Sequence, residues 1–102
     1  MEKINLNQYG PVIIKKEVGK EILDTILKLN PKENIVEIDM GNIEAMTTFC
    51  AKQIFGYLYC FLGESLFSSN IKVINNSMEI SLVINMGIQS AIEDSYSSFQ
   101  SQ

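Results

Sequence analysis

Hydrophobic positions along this chain follow two periods, and the changes between them mark its elements. Ile4 and Leu6 alternate with Asn5 and Asn7, the two-residue period of a strand with one face in water. Tyr9-Gly10-Pro11 is a turn signal, after which Val12-Ile13-Ile14 reads as a second short strand. Over residues 17–29 the period becomes helical: Val18, Ile22, Ile26 and Leu29 form one stripe, widened by Leu23 and Leu27. Asn30-Pro31 ends that helix, because proline has no N–H to donate and disfavours helical geometry in the residue before it.

Residues 35–40 form the central strand, with Val36, Ile38 and Met40 on one face and Ile35, Glu37 and Asp39 on the other. A parallel strand covered on both sides is apolar on both, so Glu37 and Asp39 predict a sheet with one face open. Ile4/Leu6 and Ile71/Val73 alternate in the same way. A helix starting at Thr47 or Thr48 and reaching about residue 64 carries Phe49, Cys50, Ile54, Phe55, Leu58, Phe61 and Leu62, with only Lys52, Gln53 and Glu64 strongly polar. Such a helix is buried on most sides or meets a second surface. Residues 65–70 read as a connector and 71–75 as another strand. Over residues 77–92, Ile80, Leu82 and Ile84 alternate like a strand, whereas Leu82, Val83, Met86 and Ala91 suit a helix. An Asn76-Ser77 cap with Glu79 in the first turn decides for helix. The predicted fold is α/β: a single-layer mixed sheet of about four strands with three helices mainly on one face. The domain spans residues 1–93, and the serine-rich residues 94–102 are expected to form a disordered tail.

Composition narrows the function classes. A chain of 102 residues holds one core, and a hydrophobic fraction of 46 % leaves some apolar surface for a partner. Net charge is −4 and the lysines are scattered, the tightest group being Lys15, Lys16 and Lys20, so no basic stripe for nucleic acid is present. The longest apolar run, residues 54–62, is less than half of the roughly 20 residues a membrane span needs, and no leader pattern opens the chain. A cytosolic protein is expected. Cys50 and Cys60 fall on one predicted helix about 15 Å apart along its axis, too far for a disulfide, so both are expected to be buried, reduced thiols. With no histidine, no nucleophile elbow and no phosphate-binding loop, neither an enzyme nor a metal or cofactor is expected.

Candidate chemistry concentrates in residues 39–48, DMGNIEAMTT. A strand ends in Asp39, a tight loop begins at Gly41, and two threonines open the apolar helix. Unpaired N–H groups and the local field at a helix start favour an anion, so a phosphate could be held there or attached covalently. In the plainer reading, a threonine caps the helix, worth ~1 kcal/mol, and Asp39 accepts N–H bonds from the Gly41-Asn42 turn. In the functional reading, Thr48 is the first candidate phosphoacceptor and Thr47 the second, with Asp39, Gly41, Asn42 and Glu44 contacting a partner. A phosphate facing Asp39 and Glu44 would repel them, which is the basis of a switch.

The order strand, strand, helix, strand, helix, strand, helix resembles the STAS domain of sulphate transporters and anti-sigma factor antagonists. It is more similar to the bacterial STAS-like family of unknown function. The residues carrying the likeness are Ile38-Asp39-Met40-Gly41, Ala45-Met46-Thr47-Thr48-Phe49, Ala51, Ile54-Phe55-Gly56 and Ile71-Lys72-Val73-Ile74-Asn75. The resemblance implies a non-enzymatic bacterial interaction domain, acting on a protein partner such as a histidine-kinase-like ATPase or a serine/threonine kinase. In the antagonists a serine at the start of this helix is phosphorylated by such an ATPase; Thr48 matches it by position, Thr47 its neighbour, and Asp39 the strand-end acid. The chain departs from their Asp-Ser-Ser-Gly sequence, having Met46-Thr47-Thr48-Phe49. Two alternatives stay open: a constitutive adaptor or homodimerisation module whose threonines only cap, and a binder of a small anionic ligand such as a nucleotide.

Overall fold

The first turn of the chain decides the topology. In a computed structural model, which describes residues 1–100, β1 (Glu2–Asn5) runs directly into a single 3-10 turn over Leu6–Tyr9. The Asn5 side chain caps that turn, accepting from the Asn7 N–H at 2.8 Å. Gly10 follows with φ +93°, a left-handed backbone that glycine adopts without strain. The chain is thereby led away from β1, and β2 (Val12–Ile13) pairs in parallel with β4 (Ala45–Met46) instead of folding back as a hairpin.

The main sheet places β3 (Val36–Asp39) between β1 and β5 (Ile71–Ile74), parallel to both. The expected single mixed layer of about four strands is therefore corrected to five strands in two small sheets, every pairing parallel. The mixed α/β class holds. Cross-strand register puts Ile4, Ile38 and Val73 in one row and Glu2, Val36 and Ile71 in another, and the apolar members of both face the core. The intervening row, Lys3, Glu37 and Lys72, lies on the opposite face, where the Lys3 ammonium stands 4.0 Å from the Glu37 carboxylate. Alternation in β3 thus reads correctly: one face buried, one polar.

Five helical segments follow: α1 (Lys16–Lys28), α2 (Thr48–Ala51), α3 (Tyr57–Leu62), α4 (Glu64–Asn70) and α5 (Met78–Gln100). A π-helical segment over Lys52–Gly56 joins α2 to α3, so residues 48–62 form one continuous rod. Residues 65–70, expected as a connector, are helical in α4. Gly63, at φ +84°, breaks the rod and lets the helix restart, and Phe67 packs edge-on to Tyr59 with ring centroids 5.3 Å apart. α5 continues past residue 93 to Gln100, where the serine-rich sequence predicted a frayed tail; Ser101 and Gln102 lie outside the described residues. Ser77 caps α5 as its position predicts, its hydroxyl accepting from the Ile80 N–H at 3.1 Å.

The rod is the centre of the molecule. Cys50, Ala51, Ile54, Phe55 and Leu58 are fully buried, with Ile22 and Ile26 of α1, Val36 and Ile38 of β3 and Ile80 of α5 in the same core. Its neighbours approach closely through glycines. A Cβ at Gly87 of α5 would lie 2.5 Å from the Lys52 backbone nitrogen, and one at Gly56 would lie 2.7 Å from the Ala91 methyl and 2.9 Å from the Gly87 carbonyl. On the other flank a Cβ at Gly19 of α1 would overlap the end of the Gln53 side chain. Among the described residues no helix is long and apolar enough to cross a membrane.

Gly87→Ala places a methyl against rigid backbone, so a stability loss of about 1–3 kcal/mol is expected in urea denaturation. Met86→Ala, on the exposed side of the same helix, is expected to stay within about 0.5 kcal/mol of wild type.

Candidate functional site

Parallel pairing brings the carboxyl ends of β1, β3 and β5 to one edge, the side on which open α/β sheets usually present their chemistry. Asp39 ends the central strand there. Its Oδ1 accepts from the Gly41 N–H at 2.8 Å and from the Asn75 side-chain amide at 3.0 Å. The Asn75 amide, and after it the Gly41 N–H, hold the Asp39 carboxyl below the usual carboxylate range, outweighing the opposing desolvation. Asn42 and Asn75 both adopt left-handed backbone, φ +67° and +60°, which asparagine tolerates better than other non-glycine residues. The loop is thus pinned from below: Asp39 clamps Gly41, and the Met40 N–H donates to the Ile74 carbonyl at 2.9 Å. The sequence marks Asn75 only as the end of the residue 71–75 segment and not as a site residue; an asparagine directly after a strand, where the chain must reverse, is the available signal.

The remainder of the loop hangs on β2. The Glu44 N–H donates to the Pro11 carbonyl at 2.7 Å, and the Thr47 N–H to the Ile13 carbonyl at 3.2 Å. Both bonds fix where the rod begins. Thr47 is its N-cap, with Oγ1 accepting from the Cys50 N–H at 3.1 Å. Thr48 is the first helical residue, half-buried, and its hydroxyl makes no hydrogen bond among the described residues. Asn42 and Glu44 are exposed. Asp39, Gly41 and Asn75 therefore form one hydrogen-bonded cluster and the two threonines another; no direct hydrogen bond links them among the described residues.

A further feature was not legible in the sequence. The outward side of the rod floors a groove of roughly 680 Å³, walled by Lys16 and Leu23 of α1 and by Ala91 and Asp94 of α5. Phe49, 55 % exposed, opens the groove one residue after Thr48, and Tyr57, 47 % exposed, lies further along it. Cys60 also lines the groove and is exposed, correcting the expectation of two buried thiols; Cys50 is buried, and both are free. Lys52 reaches across the floor to pair with Asp94 of α5. On the α1 side the Gln53 amide nitrogen donates to the Lys16 carbonyl at 3.0 Å, while its Oε1 is buried against Gly19 without a hydrogen-bond partner among the described residues. Among the described residues, no group of three or more His, Cys, Asp or Glu is arranged to hold a metal ion.

Comparison with protein families, with curated proteins and with solved structures finds no match to this chain. The site rests on its own geometry.

Two outcomes test that geometry. Asn75→Gly removes the amide while keeping the left-handed backbone accessible. Asp39 is then expected to titrate higher, toward the ordinary carboxylate range, in an NMR titration. A depressed folded-state pKa stabilises above the unfolded value, and this contribution is lost as pH falls through the folded value. The stability gap between wild type and Asn75→Gly is therefore expected at neutral pH and to narrow as acid protonates Asp39 in both. Separately, Thr47→Ala is expected to cost ~1 kcal/mol in urea denaturation through loss of the cap, and Thr48→Ala less than about 0.5 kcal/mol.

Proposed function

We propose that the protein is a non-enzymatic interaction domain of the STAS-like kind that binds a protein partner through the start of the rod and its outward face. The observation that carries this reading is the position of Phe49. It is a large aromatic left half in water, directly beside the Thr47-Thr48 pair, and the most exposed of the aromatic side chains on the rod. Aromatic side chains held on rigid elements supply much of the energy at protein interfaces. With Tyr57 further along the groove, Phe49 offers an anchor, and Asn42 and Glu44 are exposed on the loop that precedes the rod.

Thr48 is the switch position in this reading. Its hydroxyl is not engaged in capping, whereas the Thr47 hydroxyl is, which ranks Thr48 ahead of Thr47 as phosphoacceptor. A phosphate on Thr48 would sit at the N-terminus of the rod, where the helix field stabilises it, one residue from the apolar anchor. It would place a strongly hydrated dianion beside Phe49 and oppose burial of that ring by a partner. On family resemblance alone, the partner is an ATPase of the histidine-kinase-like fold or another serine/threonine kinase in the bacterial cytosol. The competing reading is a constitutive adaptor, favoured by the occupied Thr47 cap, in which the threonines serve only the helix.

Affinity capture with wild type, Thr48→Glu and Phe49→Ala, analysed by mass spectrometry, separates them. The switch reading expects one ATPase-fold or kinase partner retained by wild type and lost with both variants, with phosphate on Thr48. Equal capture by wild type and Thr48→Glu, with loss only in Phe49→Ala, would leave a constitutive adaptor. Equal capture by all three would remove this face from the interface.

A further inference from the structure

Among the described residues the outer edge of β5 is unpaired, and it lies beside a second groove. Successive strand residues aim their N–H and C=O groups to alternate sides. The Ile74 carbonyl accepts from Met40 beside β3, so Lys72 and Ile74 face β3 and the backbone groups of Val73 face outward. β5 ends the sheet order, and among the described residues Val73 makes no backbone hydrogen bond to another element on that side. On the core side of the same edge, Phe67 of α4, Val73, and Ile84 and Ile88 of α5 line a groove of roughly 340 Å³, with Asn76 and Asn85 at its border.

Charge on the other face specifies what would fit. The row Lys3, Glu37, Lys72 runs positive, negative, positive across the three strands. Lys3 reaches Glu37, whereas the exposed Lys72 forms no salt bridge among the described residues and donates to the Ser68 carbonyl at 3.0 Å. The next position in that row, one strand beyond β5, would best be filled by a carboxylate. Its two chain neighbours would point to the core side, over the groove, and would best be apolar. β3 meets β5 from the opposite side with this same pattern, Val36-Glu37-Ile38.

We infer that the β5 edge accepts an extended segment of a partner protein, with the sequence pattern apolar–acidic–apolar, as an added parallel or antiparallel strand. Main-chain bonds to Val73 supply affinity, while Lys72 and the groove supply selectivity. This surface is separate from the one around Thr48 and Phe49, so either can fail without the other.

The test uses a fluorescent nine-residue peptide alternating valine and glutamate, and two further peptides N-methylated at every other amide, one for each edge, so that the modified edge donates no hydrogen bonds. The unmodified peptide is expected to bind with Kd on the order of 100 µM and to slow amide exchange at Val73; N-methylation of the β5-facing edge is expected to abolish both effects. Lys72→Glu, whose fold is checked by circular dichroism, is expected to weaken binding about threefold to tenfold, and a valine–lysine peptide should regain it. Thr48→Glu is expected to bind the peptide like wild type. No binding at ~1 mM, binding indifferent to which edge is N-methylated, or no protection of Val73 would overturn the inference. So would a concentration-dependent dimer, seen by sedimentation, that buries Val73 and excludes the peptide, because the edge would then belong to a second copy of this chain.

Discussion

Close backbone approach around the rod of residues 48–62 is the constraint on which the rest of the structure depends. Glycines at 56 and 87 let α5 lie against it at distances that a single methyl group would violate, while on the α1 side Gly19 makes room for the Gln53 side chain. Gly87 is the sharpest case, because the atoms it meets belong to the backbone around Ala51 and Lys52 and cannot rotate aside. The π-helical segment starts at this same point. Dispersion gained along such a contact is individually small and collectively large, and it depends on the absence of side chains at the crossing. An apolar helix that would otherwise expose its flanks is covered by two neighbours and the sheet, leaving one strip in water.

That strip and the start of the rod are positioned by the same framework. The loop before the rod is held at one end by the Asp39 clamp on Gly41 and at the other by the Glu44 and Thr47 N–H groups, which donate to the Pro11 and Ile13 carbonyls. Thr47 caps the helix, which leaves the half-buried Thr48 and the exposed Phe49 as the next two residues of its first turn. The threonine pair therefore divides its work: one hydroxyl is committed to the fold, and the other is not engaged among the described residues.

The main sheet has an unusual economy for parallel strands, which are mostly covered on both faces. Here the uncovered face is kept wet by Lys3, Glu37 and Lys72, whose alternating signs satisfy each other across β1 and β3 and stop at β5. A charged face discourages stacking of one sheet on another, and it leaves the edges as the places where the sheet can be extended.

Local features are legible in the residue pattern: the helical stripe of α1 and its stop at Asn30-Pro31, the polar and apolar faces of β3, the caps at Thr47 and Ser77, and the candidate loop beginning at Asp39. Each depends on side-chain period or capping chemistry within a few residues, so each is written where it acts. Tertiary structure alone decided what depends on residues far apart in the chain. β2 pairs with β4 because the Leu6–Tyr9 turn and Gly10 redirect the chain, an outcome no alternation encodes. Asn75 joins Asp39 only because β5 lies beside β3, across 36 positions of sequence. Residues 64–70 are helical despite their serines because Phe67 finds Tyr59. The exposure of Phe49, Tyr57 and Cys60 was likewise hidden, since a helix apolar all round does not reveal which side its neighbours will leave uncovered.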